Sequence, residues 1–96
     1  MTILVTRDRS GKMRHIVTVR AHAFAVDEPP ANGGEDTGPT PHDLYDSALG
    51  ACKAMTALWY ANRKQMPVED IRVTVDRDDS QERSGTYRLR VTLALG

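Results

Sequence analysis

Apolar positions along this chain change their spacing several times, and each change marks an element. Ile3, Leu4 and Val5 form a short apolar run ahead of alternating charge, which predicts a strand over Ile3 to Arg7, with turn chemistry at Ser10, Gly11 and Lys12. From His15 to Val26 the chain alternates, with Ile16, Thr18, Arg20, His22, Phe24 and Val26 on one face and Val17, Val19, Ala21, Ala23 and Ala25 on the other. Neither face is cleanly polar. The reading is a strand, or two with a bend, covered on both sides. Periodicity then stops from Asp27 to Pro41, DEPPANGGEDTGPTP, where four of the five prolines and three of the seven glycines fall. A stretch that long without periodicity is either a surface connection or a loop that forms a site.

A helix is predicted from His42 to about Lys64. Thr40 is suited to the N-cap, Pro41 to the first helical position, and Asp43 to the acid of a capping box. Arg63 and Lys64 fall in the last turn, where cations complement the helix dipole. At 1.5 Å per residue this is a rod of about 35 Å. Leu44, Ala48, Ala51, Met55 and Leu58 form one apolar line, and Tyr45, Leu49, Cys52, Thr56 and Trp59 the neighbouring one, with Ala54, Ala57 and Ala61 filling part of the rest. A helix apolar over most of its circumference must be buried on more than one side, and so short a chain can hardly surround it. That argues for a partner subunit.

Beyond Pro67 the period returns to two. Ile71, Val73 and Val75 alternate with Arg72, Thr74 and Asp76; Asp78 to Gly85 is a polar turn; Tyr87, Leu89, Val91, Leu93 and Leu95 alternate with Arg88, Arg90 and Thr92. Two half-buried antiparallel strands follow from this, and the order strands, helix, strands predicts an α+β fold in a single domain over residues 1–96.

Composition narrows the functions. Thirteen basic residues balance thirteen acidic ones, so no global charge draws the chain to nucleic acid or an anionic membrane. The longest largely apolar stretch, Ala48 to Ala61, is interrupted by Lys53 and falls short of the about 20 residues that span a bilayer. The N-terminal apolar run is too short for a signal peptide, so a cytoplasmic location is expected. A single cysteine excludes an intrachain disulfide and a Cys-rich zinc site.

Cys52 is the one nucleophile with a case, set against the commoner situation of an inert cysteine in an alanine-rich helix. It lies too deep in the helix to gain from the N-terminal dipole. His42 stands ten residues earlier, about 80° around the axis, and Asp43 nine residues earlier on the opposite side, so activation has to come from elsewhere. His15, His22 and His42 lack metal-ligand spacing, and no metal or cofactor is expected. Gly33, Gly34 and Gly38 form neither a P-loop nor a dinucleotide fingerprint. Arg72, Arg88 and Arg90 read as a solvated sheet face.

The run DEPPANGGEDTGPTPHDLYDSALGACKAMTALWYANRK, Asp27 to Lys64, resembles the OsmC/Ohr-like family of osmotically inducible and organic-hydroperoxide-resistance proteins. It is most similar to a YhfA-like or general OsmC-like redox subgroup. The matching residues are Asp27-Glu28-Pro29, Gly33-Gly34, Asp36, Gly38-Pro39, Pro41, Asp43-Leu44, Ala48 to Cys52, Ala54-Met55-Thr56, Tyr60-Ala61 and Arg63-Lys64, with His22 before them. The resemblance implies a curved antiparallel sheet around a long central helix and an intertwined homodimer with its sites at the subunit interface. It also implies that Cys52 is a peroxidatic thiol that reduces a peroxide or organic hydroperoxide through a sulfenic acid, which a second cysteine resolves in such proteins. With Cys52 alone here, an external thiol or a partner's cysteine is expected to resolve it. His42 stands where the hydroperoxide-resistance branch has an acid that positions an arginine, and Asp43 is where this subgroup has its acid. Arg7, Arg9, Arg14 and Arg20 are the candidates to approach the thiolate. Against the family pattern the chain is expected to be short by its C-terminal third, which carries the resolving cysteine. A second reading keeps the fold without catalysis, as a dimeric domain binding a small apolar ligand at the interface.

Overall fold

Local hydrogen bonding sets the first hairpin. In the computed structural model, which describes residues 1–78 and 88–95, β1 (Ile3–Arg7) and β2 (His15–Val19) pair antiparallel with Val5 opposite Val17. The connection is closed by Asp8. Its carboxylate accepts the Ser10 N–H at 3.0 Å, the Ser10 hydroxyl at 2.8 Å and Arg14 Nε at 2.8 Å. Those donors, Ser10 first, hold the Asp8 carboxyl below the ordinary aspartate range.

The alternating run over 15–26 is two strands. β2 turns into β3 (His22–Val26) through Arg20-Ala21, and Arg20 takes a left-handed φ of 53°. The register sets Val19 opposite His22, Val17 opposite Phe24 and His15 opposite Val26. A two-residue turn reverses the parity, so the odd positions of β2 share a face with the even positions of β3. The single pair of faces expected across the whole run is therefore corrected. Ile3, Val5, Val17, Val19, Phe24 and Val26 line one side of the three-stranded sheet, ordered β1-β2-β3. Cover on both sides is not seen either: in β1 to β3 only Val26 is buried.

The helix α1 (Pro41–Arg63) begins where the capping residues put it. The Asp43 N–H donates to Thr40 Oγ1 and the Thr40 N–H donates to Asp43 Oδ2, both at 3.0 Å, a complete capping box. At the far end Gln65 adopts a left-handed φ of 55°. Its N–H bonds the Asn62 carbonyl at 3.2 Å, and the Met66 N–H bonds Ala61 at 2.8 Å, a Schellman closure followed by Pro67.

β4 (Ile71–Asp78) and β5 (Arg88–Leu95) pair antiparallel, with Ile71 opposite Leu95 and Val75 opposite Val91. Ile71, Val73 and Val75 are half-buried while Arg72, Thr74 and Asp76 are exposed, as the alternation requires. Most of the predicted polar turn lies outside the described residues. The class is α+β, as expected, with the antiparallel strands in a three-stranded and a separate two-stranded sheet.

The chain divides into two compact units, Met1–Leu44 and Tyr45–Gly96. In the second, α1 lies on β4 through its smallest residues. A Cβ built on Gly50 would stand 3.0 Å from Val75 Cγ2, so only glycine permits this approach without displacement. Asp46, Gly50 and Ala61 are the buried residues of α1, and Ala54 and Ala57 are half-buried along the same stripe. Burial on more than one side is not what this single chain shows: the large residues point away, with Tyr45 68 %, Met55 71 % and Trp59 58 % exposed.

Candidate functional site

Cys52 sits midway along α1 on that exposed outer side. Its Sγ lies 3.9 Å from the hydroxyl of Thr56, one helical turn on. The thiol is therefore open to a small reagent, and its neighbours on the face are apolar or small: Ala48, Ala51, Met55 and Thr56.

The helix keeps the three candidate site residues in two places. His42 and Asp43 belong to the first turn, and nine or ten residues separate them from Cys52, about 14–15 Å of helical rise. No hydrogen bond spans that distance. Asp43 holds the Thr40 N–H and so fixes where the helix starts. Of the candidate arginines, Arg14 is paired with Asp8 in the first turn at 2.8 Å, Arg7 ends β1 opposite His15, and Arg20 occupies the second turn.

A pair that the sequence reading did not single out lies on the inner side of α1. Arg77 Nε donates to Asp46 Oδ2 at 2.6 Å, with the Asp46 side chain only 9 % exposed. The partners are 31 residues apart, and no local spacing rule could have joined them. The pair fastens the helix to β4 across a surface otherwise made of small residues.

The loop 27–40 is a built structure. Asp27, 2 % exposed, is its hub. Its Oδ2 accepts the Thr37 hydroxyl at 2.7 Å, the Thr37 N–H at 3.1 Å and the Glu35 N–H at 3.3 Å, and its Oδ1 accepts the Glu28 N–H at 2.8 Å. The Thr37 hydroxyl leads these in holding the Asp27 carboxyl down at about 2, against the opposing effect of burial. The Asp27 N–H reaches the Pro39 carbonyl at 3.1 Å and the Asp36 N–H the Glu28 carbonyl at 3.0 Å, which closes the loop at its base. A Cβ on Gly34 would run into the Glu28 carbonyl and stand 2.7 Å from Asp27 Oδ1; one on Gly38 would meet the Ala25 carbonyl. Gly34 and Gly38 are thus required by close backbone approach, and Gly33 by its left-handed φ of 91°.

Between this loop, the sheet and the start of α1 lies a cavity of about 350 Å³, lined by Val5, His15, Val17, Val26, Asp27 and Leu44 among others. His15 is oriented there by its Nδ1, which donates to the Met13 carbonyl at 2.8 Å. Among the described residues no group of three or more His, Cys, Asp or Glu could hold a metal ion, and no helix is long and apolar enough to cross a membrane.

Comparison with known proteins gives one family match. No curated protein and no solved structure matches the chain. The family model of OsmC-like proteins does, over residues 33–96, a span that takes in the glycine-bearing half of the loop, α1 with Cys52, and the β4–β5 hairpin. The chain belongs to the OsmC-like protein family.

Proposed function

We propose that this protein is a thiol-dependent peroxidase of the OsmC-like type, acting on small peroxides or organic hydroperoxides through Cys52. Family membership supports a general redox or peroxide-stress role. The observation that carries the finer reading is the position of the only cysteine, exposed on the outer face of the central helix where a small reagent can reach it.

In the reaction the Cys52 thiolate attacks the terminal oxygen of the hydroperoxide. An S–O bond forms, the O–O bond breaks, and the departing alkoxide takes a proton to leave as alcohol. Cys52 is then a sulfenic acid. These 96 residues hold no second cysteine, so an external thiol attacks the sulfenic sulfur and releases water. A second equivalent of thiol then reduces the mixed disulfide, returning Cys52 and carrying away the oxidised reductant. Such a cycle needs a pool of reducing thiols, as the cytoplasm supplies.

Family members are typically dimeric, and a second copy packed along the outer face of α1 would cover Tyr45, Met55 and Trp59 and place the thiol at an interface. In this reading Asp43 and His42 act on the site through the start of the helix, Asp43 by fixing the cap, and an arginine that lowers the thiol pKa comes from Arg7, Arg9 or Arg20 of one or other subunit.

Mass spectrometry after a stoichiometric dose of cumene hydroperoxide, with a sulfenic-acid trap present, tests the chemistry. The expected product is one trapped adduct at Cys52, missing in Cys52→Ser and lost when dithiothreitol is added before the trap. A Cys52 thiol that stays unmodified in excess hydroperoxide would sink the reading.

A further inference from the structure

We infer that the cavity in the N-terminal unit is a binding site for a compact, uncharged apolar molecule, with Asp27 and Glu28 at the start of the loop 27–40 in its wall. Every residue lining it comes from Met1–Leu44, so the site is complete within one unit.

Three observations lead there. The volume, about 350 Å³, lies within the range of small-molecule sites and is more than twice the about 150 Å³ in which an apolar protein cavity takes up benzene. A bicyclic aromatic molecule is of suitable size. The walls are aliphatic, from Val5, Val17, Val26 and Leu44, with few polar groups among them. The charge is one-sided: Asp27 and Glu28 both line the space and no lysine or arginine does, so a carboxylate or phosphate ligand would meet like charge. Asp27 itself is not available to pair a cation strongly, because four donors already use its two oxygens. Neutral and apolar is the class that the aliphatic walls favour.

Rigidity separates this site from an open sheet face. Val26, Asp27 and Gly34, the buried residues of the N-terminal unit, all belong to the floor or the loop behind it. The loop is closed by the bond from Asp27 to Pro39, and the capping box at Thr40 and Asp43 fixes the turn that presents Leu44. A pocket whose wall is over-determined in this way is pre-organised before anything binds.

Indole, neutral and soluble, serves as the probe, titrated into the full chain with methyl-labelled Val, Leu and Met observed by NMR. Saturable shifts are expected at Val5, Val17, Val26 and Leu44, unchanged in Cys52→Ser. Val5→Phe, on an exposed edge strand that suits an aromatic residue, is expected to weaken binding at least about tenfold by filling the space. Val17→Phe serves as the second filling variant, each variant being checked for native circular dichroism. Shifts centred on Met55 and Leu58, no saturable shift at all, or full affinity in both filled variants would each overturn the assignment.

Discussion

The loop 27–40 and the outer face of α1 follow one another in the chain and are satisfied in opposite ways. The loop meets its needs internally: a buried carboxylate gathers four donors, two glycines admit backbone where no side chain fits, and its base is closed by main-chain bonds. The outer face meets almost none of its own, since Tyr45, Met55, Leu58, Trp59 and Tyr60 are all exposed. Even its aromatic rings are covered from the same helix, with Arg63 5.0 Å above Trp59 and Lys64 5.9 Å above Tyr60. Polar loops can be completed by a few residues at short range. Apolar surface can be removed from water only by something large, and a 96-residue chain has spent its small-residue stripe on β4.

The contrast breaks most sharply at the outer face. Met55→Glu combined with Trp59→Glu puts two charges where a second copy is proposed to dock. The expected loss is about 4 kcal/mol of association, roughly a thousandfold in dissociation constant. Light scattering and sedimentation should then report a monomer that keeps its helical circular dichroism. A wild-type chain that is already a folded monomer would show that the outer face of α1 needs no second copy.

Within the loop the largest effect is expected from Gly34→Ala. Its new methyl has to displace backbone at Glu28 and the Asp27 carboxylate together, at a cost of about 3 kcal/mol, read as a fall in the urea midpoint without a change in oligomeric state. If the variant is as stable as wild type, the loop is not as closely built as described.

Acid sharpens the same point. Because the folded Asp27 carboxyl lies at about 2, below its ordinary 3.8, its contribution to stability is present above 3.8 and is lost as pH falls toward 2. Wild-type stability should therefore decline through that window, and Asp27→Asn should be less stable at neutral pH with a shallower slope. Equal slopes for the two proteins would show that other carboxyls govern the acid limb.

The smallest effect is expected at the end of the helix, where Gln65 occupies a conformation that suits glycine. Gln65→Gly should raise stability by about 0.5 kcal/mol, measurable as a small rise in Tm.

Legibility in the sequence followed the range of the interactions. The cap of α1 could be read because Thr40, Pro41 and Asp43 are neighbours whose chemistry is complete within one turn. The antiparallel pairing of β4 with β5 could be read from alternation, whereas between β2 and β3 a period-two pattern continues unbroken through Arg20-Ala21 and hides the reversal of faces. The inner side of α1 could not be read. Apolar residues occupy nearly all of its circumference, so nothing in their spacing says that the side of Asp46, Gly50 and Ala61 turns to β4. Arg77 was equally hidden, because its role depends on a partner brought close only by the fold. At the candidate site, the motif singles out Cys52 as the residue to test. The work of Asp27 was not, since a carboxylate that organises a loop has no signature apart from the donors it collects.

The closed base of that loop also bears on how the protein can be engineered. With the Asp27 N–H bonded to the Pro39 carbonyl, the end of β3 and the approach to α1 are stapled together, whatever length of chain lies between. The exposed tip at Pro30–Asn32 is thus a natural grafting point. A fluorophore or short epitope spliced after Ala31 would leave the span between sheet and helix unaltered, giving a handle remote in sequence from Cys52.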